Sequence, residues 1–307
     1  MGQRFIGVDV GGTKIATAVL DGSSFSEPAL QPTDTSSTEA LLQQLATAIG
    51  AAAAGDTSAV VGIGAPSVIE FATGRVRYSV NIPLVDVALR EELGRRTGLD
   101  VVVDNDASVA ALAEACDGDG EIAVDSLVLL TIGTGVGGGV IVDGKILRGA
   151  TGAAPELGHI IVEADFDPGA PEPSATFPQP GSLERAAAGK ALDRLAQERG
   201  YADGPACLTA AQNGEDAAIE AFTILGERVG IGIASMINTF EPHEVVIGGG
   251  VSRAGDLLLA PATETAWKFV LPGVGTETRI RLARYGPSAG VRGAALLAKH
   301  EFARVAP

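Results

Sequence analysis

The sequence predicts an α/β protein of two domains, and three observations carry that prediction. Short aliphatic runs rich in Val and Ile alternate with longer amphipathic stretches, the pattern of strands connected through helices. A 46% hydrophobic content with 41 glycines and only 4% aromatic residues describes aliphatic cores joined by tight turns. A strand, glycine turn, strand layout also occurs twice. It runs through residues 5–10, Gly11-Gly12-Thr13 and residues 15–20 to Asp21-Gly22, and again through residues 127–132, Gly133-Thr134-Gly135 and residues 138–142 to Asp143-Gly144. One module used twice explains the layout, with chance likeness of two hairpins as the alternative, and 307 residues suffice for two cores.

Between the two hairpins the periodicity predicts a helix over 38–54, a buried strand over 59–64, a helix over 85–97, a strand over 99–103 and a helix over 107–115. After the second hairpin it predicts a loop, helices over 183–198 and 216–240, a strand over 244–247, a helix after Gly250, a strand over 279–283 and a last helix from Ala289. Each half is an α/β unit, and the cleft between two such units is the expected place for a small ligand. Residues 164–180 carry five prolines and no periodicity, so they are expected to form an irregular surface loop.

A formal charge of −16 argues against nucleic-acid or anionic-membrane partners, because phosphate is repelled at long range. The N-terminal residues show no leader pattern, and Gly or charge interrupts every apolar stretch, so a cytoplasmic location is expected. Cys116 and Cys207 are far apart in sequence with no CxxC pair, which fits reduced thiols and gives no metal framework.

Gly133-Thr134-Gly135-Val136-Gly137-Gly138 has GxGxxG spacing, but a strand rather than a helix follows, which excludes a dinucleotide fingerprint. No GxxxxGK[ST] occurs, which excludes a P-loop. What remains are two glycine hairpins, this one and Asp9-Val10-Gly11-Gly12-Thr13-Lys14, whose bare amides would let phosphate approach the backbone. Thr13 and Thr134 add hydroxyl donors, Lys14 adds positive charge, and Asp9 at a strand end could hold Mg²⁺ directly or through water. Gly248-Gly249-Gly250 feeds a strand into a helix N-terminus, a geometry that suits a nucleotide. A tight turn is the alternative reading of each glycine.

Val103-Asp104-Asn105-Asp106 places polar groups at the C-terminal end of an apolar strand, the usual ligand edge of an open α/β sheet. Asp106 reads either as a helix N-cap or as a base that takes the proton of an attacking hydroxyl. Glu156 and His159 in Glu156-Leu157-Gly158-His159, Glu184 in Gly181-Ser182-Leu183-Glu184, and Asn81 are the residue types that pair with vicinal hydroxyls of a polyol. Their structural alternatives are a hydrogen-bonding histidine and a solvated helix end.

These segments, DVGGTK from Asp9, DNDASVA from Asp104, GTGVGG from Gly133, ELGH from Glu156, GSLE from Gly181 and GGGV from Gly248, occur in the order of the ROK sugar kinases, which the chain resembles over nearly its whole length. The resemblance is to the glucokinase branch of this actin-like ATPase family. It implies two RNase H-like domains with an interdomain cleft, residues 1–120 with 290–307 forming the smaller and 121–289 the larger. It also implies ATP-dependent phosphorylation of glucose or another hexose or N-acetylhexosamine. Asp106 would then be the catalytic base. Gly64, Asn81, Asn105, Glu156, His159 and Glu184 would bind the sugar. Gly11, Gly12, Thr13, Lys14, Gly133, Thr134, Gly135, Gly137, Gly138 and Gly249 would bind ATP with Mg²⁺, and a homodimer or larger homo-oligomer is implied. Most members carry a zinc site joining a histidine, here His159, to three cysteines. This chain has none of those cysteines, Ser182 stands where the last would be, and no structural zinc is expected. Sugar-responsive repressors of the family add a DNA-binding module before the core. Here the first strand begins at Phe5, which favours an enzyme over a non-catalytic sugar-sensing regulator.

Overall fold

The computed structural model describes residues 3–167 and 169–305. The chain begins with β1 (Arg4–Val10), β2 (Lys14–Asp21), β3 (Ser24–Phe25) and β4 (Ala29–Pro32), followed by α1 (Thr38–Ala53). Ser37 caps α1 by accepting from the Ala40 amide. Ala54, at φ 50°, turns left-handed and ends the helix one residue before the predicted limit. Its apolar stripe, Leu41, Leu42, Leu45 and Ile49, packs with Ile6, Val8 and Ile63 in one core.

β5 (Val60–Ala65) follows, then a hairpin of β6 (Ser67–Glu70) and β7 (Arg75–Ser79) that the periodicity does not show. The helix predicted over 85–97 is shorter, α2 (Leu89–Thr97). Asp86 adopts φ 55° and Val87 forms a bridge to Val76, so residues 85–88 extend the hairpin instead of coiling. β8 (Asp100–Asn105) leads directly into α3 (Asp106–Ala115). The first sheet has the order β3-β2-β1-β5-β8, with β4 also paired to β2, and β1, β5 and β8 run parallel.

The second hairpin is β9 (Leu127–Ile132) and β10 (Val136–Val142), then β11 (Lys145–Ile146). Where one helix is predicted over 183–198, the structure has two, α4 (Leu183–Ala187) and α5 (Gly189–Glu198), broken at Ala188 with ψ 168°. α6 (Gly204–Gln212) was not predicted, whereas α7 (Asp216–Phe240) spans the predicted limits. β12 (Glu244–Gly248) is followed by a 3₁₀ turn over Gly250–Ala254, then α8 (Asp256–Phe269), β13 (Arg279–Leu282) and α9 (Ala289–Val305). The second sheet has the order β11-β10-β9-β12-β13. The described residues among 164–180 contain no helix or strand, as their prolines predict.

The chain divides into two compact units. One takes the residues up to Asp125, Gly139–Pro155 and those from Arg284 onward; the other takes Ser126–Gly138 and Glu156–Ala283. The expected limits, drawn at residues 120 and 289, differ from this chiefly in Gly139–Pro155, which begins within β10 of the second hairpin and joins the first unit. In the first unit α9 seats on the sheet through glycines. A Cβ on Gly7 would overlap the Val291 carbonyl, one on Gly62 the Ala294 carbonyl, and one on Gly293 of α9 the Val109 carbonyl of α3. In the second unit α7 and α8 approach closely at Gly226, where a Cβ would lie 2.5 Å from Pro261 Cγ.

Candidate active site

In the first unit, strand register assembles an acidic edge. Asp9 of β1 lies opposite Gly64 of β5, and Gly64 lies opposite Asp104 of β8. A Cβ on Gly64 would stand 2.7 Å from Val109 Cγ2 and 3.5 Å from Asp106 Cα, so this glycine lets α3 start against the strand ends. Asn105, not Asp106, caps α3: its Oδ1 accepts from the amides of Ala107 at 3.0 Å and Ser108 at 3.1 Å. Asp106 is the first helical residue and accepts from the Ala107 amide, at 2.8 Å. The capping alternative therefore falls to its neighbour.

Burial pushes the Asp106 carboxyl above the usual carboxylate range, opposed by the amide of Ala107. Asp9 is pushed up to about 7, first by burial and then by the charge of Asp106, with Lys14 opposing. Its carboxylate lies against α9, where a Cβ on Gly290 would be 2.5 Å from Oδ2. Two neighbouring carboxyl groups that burial holds above the usual carboxylate range suit acid–base work, and Asp9 has the hard oxygen donors a divalent cation takes. In the β1–β2 turn the Gly11 amide donates to Lys14 O at 2.9 Å, leaving Thr13 and Lys14 exposed. Exposed Asn81 stands beside this turn: a Cβ on Gly12 would be 3.2 Å from Asn81 Cβ.

In the second unit the β9–β10 turn closes similarly, the Gly133 amide donating to Gly135 O at 2.8 Å. The Val136 amide donates to Glu184 Oε2 at 2.8 Å, and a Cβ on Gly135 would be 2.5 Å from that same oxygen. A Cβ on Gly138 would be 2.6 Å from Leu157 Cδ1, and one on Gly158 would overlap the Val136 carbonyl. Gly135 and Gly138 thus have a packing reason of their own, since they admit Glu184 and the Leu157–His159 turn to the hairpin. Gly133 faces open space and Thr134 is exposed; half-buried Gly137 follows on β10. Glu156 is exposed, 4.0 Å by Oε2 from His159 Nε2. The His159 ring meets Phe177 edge-on at 5.4 Å, and its buried Nδ1 has no hydrogen-bond partner among the described residues.

Beside Gly133 and Thr134, and wholly within the second unit, lies a cavity of about 890 Å³ with Lys190, Leu208, Gln212 and Arg253 on its walls. Its size and mixed lining fit a nucleoside. Gly249, at φ 84°, brings the chain past Ile132 toward this wall, where a Cβ would meet the Ile132 carbonyl. The sequence reading passed over Lys190, Gln212 and Arg253. Asp203-Gly204-Pro205, an N-cap followed by an early proline, was the available signal for α6, which carries Gln212.

The donors around His159 do not fit tetrahedral zinc. Ser182 spends its hydroxyl as the cap of α4, accepting from the Arg185 amide at 3.3 Å and donating to Gln179 O at 2.8 Å. Cys207 points to Ala218 O, Cys116 lies beside His300, and the described residues hold no group of three or more His, Cys, Asp or Glu side chains that could bind a metal. No helix among them is long and apolar enough to cross a membrane.

Residues 5–301 match the model of the ROK family. The glucokinase of Halalkalibacterium halodurans is 34% identical, the match covering 97% of this chain and 95% of that one. The N-acetyl-D-glucosamine kinase of Aliivibrio salmonicida is 32% identical over 95% of this chain and 99% of that one. The ROK glucokinase of Streptomyces griseus, solved with glucose and AMPPNP, superposes with a TM-score of 0.79 at 31% identity, covering 97% and 99% of the two chains. On the family model and these near full-length likenesses, the chain belongs to the ROK family.

Proposed function

We propose that the protein is an ATP-dependent hexokinase of the glucokinase type, converting glucose to glucose 6-phosphate. The observation that carries the reading is Asp106: a carboxylate at the strand-end edge, relieved of capping by Asn105 and raised above the usual carboxylate range by burial. Asp106 accepts the proton of the attacking sugar hydroxyl as the new oxygen–phosphorus bond forms and the bond from the γ-phosphorus to its bridging oxygen breaks, releasing ADP. Gly64, Asn81, Asn105, Glu156, His159 and Glu184 hold the sugar hydroxyls. Gly11, Gly12, Thr13, Lys14, Gly133, Thr134, Gly135, Gly137 and Gly138 hold phosphate, and Gly249 contacts the adenosine. Asp9 would hold Mg²⁺, which when bound offsets phosphate charge.

The orphaned Nδ1 of His159 favours a role toward the ligand, because a buried polar atom left unpaired is costly. The same reading includes two RNase H-like units of the actin-like type, a cytoplasmic location and a homodimer or larger homo-oligomer. An N-acetylhexosamine as acceptor is the second reading, supported by the likeness to the Aliivibrio enzyme at nearly the same identity as the glucokinase. The test is kcat/KM over a panel of hexoses and N-acetylhexosamines with ATP and polyphosphate as donors. Glucose with ATP is expected to lead. No turnover with any pair, alongside measurable sugar binding, would replace the enzyme with a sugar sensor.

A further inference from the structure

Asp104 directly precedes the Asn105-Asp106 pair, and its side chain is 2% exposed. A carboxylate so deeply buried stays ionised only beside a cation, and the cation here is Arg148, in the segment between β11 and the passage to Glu156. Arg148 Nε donates to Asp104 Oδ2 at 2.8 Å, Nη2 donates to Glu301 Oε1 of α9 at 3.2 Å, and the guanidinium lies 3.4 Å from the centre of the Phe71 ring. The other Asp104 oxygen, Oδ1, accepts from the Asn105 amide at 2.9 Å. Asn105 in turn caps α3 and donates through Nδ2 to Ser67 O at 3.4 Å. One chain of charge-assisted bonds therefore runs from Arg148 to the residue that sets the first turn of α3, where Asp106 sits.

We propose that Arg148 is a positioning residue for the Asn105-Asp106 pair, acting through the buried carboxylate of Asp104. The assignment rests on the hexokinase reading above. Three contacts on one planar group fix its direction in a way that a lysine ammonium does not reproduce. With Arg148 gone, burial drives Asp104 to take up a proton. Its grip on the Asn105 amide then weakens, and the sugar ligand and the base beside it lose their common orientation.

The test measures hexose and nucleotide affinity by calorimetry, with kcat and thermal midpoint, for wild type, Arg148→Met, Arg148→Lys and the double variant Asp104→Asn/Arg148→Met. Arg148→Met is expected to weaken hexose binding about 10- to 100-fold, the worth of one charge-assisted hydrogen bond, and to lower kcat. Nucleotide affinity, supplied by residues other than Arg148, Asp104 and Asn105, should stay within about twofold by additivity of separate sites. The double variant should regain much of the hexose affinity, because an amide oxygen still accepts from Asn105 without a buried charge to neutralise. Arg148→Lys keeps the charge and the fold and should still bind hexose less well than wild type. Unchanged hexose affinity in both single variants, or parallel loss for both ligands with a fallen midpoint, overturns the assignment. A wild type that binds no hexose overturns the hexokinase reading itself.

Discussion

Replacing Asp106 by Asn separates the two roles its position allows. In the structure the cap belongs to Asn105, which accepts two amides, while Asp106 accepts one that an amide oxygen can accept equally well. Asp106→Asn should therefore leave α3 capped. It also removes a charge that burial disfavours, so the thermal midpoint at pH 7 should hold or rise. Turnover should fall by about 10² to 10⁴, roughly 3–5 kcal/mol of barrier, the usual span for a general base. Asn105→Ala should do the opposite to stability, losing about 1 kcal/mol with the cap. Coupled kinase assays, melting curves and hexose calorimetry on both variants make the comparison. Asp106→Asn that keeps more than about a tenth of wild-type kcat, or that melts early as Asn105→Ala does, would return Asp106 to a structural role.

Asp9 gives a pH test with a definite sign. Burial pushes its pKa from the ordinary 3.8 up to about 7, so the folded state binds this proton more tightly and stability falls as pH rises from about 4 to about 7. A shift of that size corresponds to at most about 4 kcal/mol. Asp9→Asn should flatten this part of the melting profile in Mg-free protein; a profile as steep as wild type would show that the strain lies elsewhere. Gly158→Ala drives a methyl into the Val136 carbonyl and should cost about 1–3 kcal/mol while weakening hexose binding. A variant with wild-type midpoint and affinity would mean that the turn yields freely. Protein treated with a chelator and given Mg²⁺ alone should regain full activity, and finding about one tightly held zinc per chain would contradict the donor set around His159.

The strands and the first residues of the site were legible because they depend on local pattern. Val101, Val103 and the polar triplet after them announce a buried strand running into a helix, and β8 with α3 bears that out. The break at Ala188 was not legible. The run Leu-Glu-Arg-Ala-Ala-Ala-Gly-Lys contains no proline, and the helix stops because the Gly189 amide donates to Gly133 O at 2.7 Å, a partner more than fifty positions away. The β6–β7 hairpin escaped for a related reason: Arg75 and Arg77 interrupt its apolar alternation and are held by Asp86 and Glu70. At the site, glycine content suggested phosphate or a tight turn without telling the glycines apart. Only the geometry separates Gly133, which faces open space, from Gly135 and Gly138, which make room for side chains.

The seating of α9 on Gly7 and Gly62 has a consequence for biosynthesis. β1 leaves the ribosome first, yet the helix that covers one face of it is made last. Between Asp125 and Ala289 roughly 160 residues are added, about 10–30 s at ordinary elongation rates. Throughout that interval the glycine-lined face of β1 and β5 is bare apolar surface on a nascent chain. The second unit lacks this dependence, since its segments are complete once Ala283 has been made. The half translated later is thus complete while the half begun earlier still lacks its closing helix.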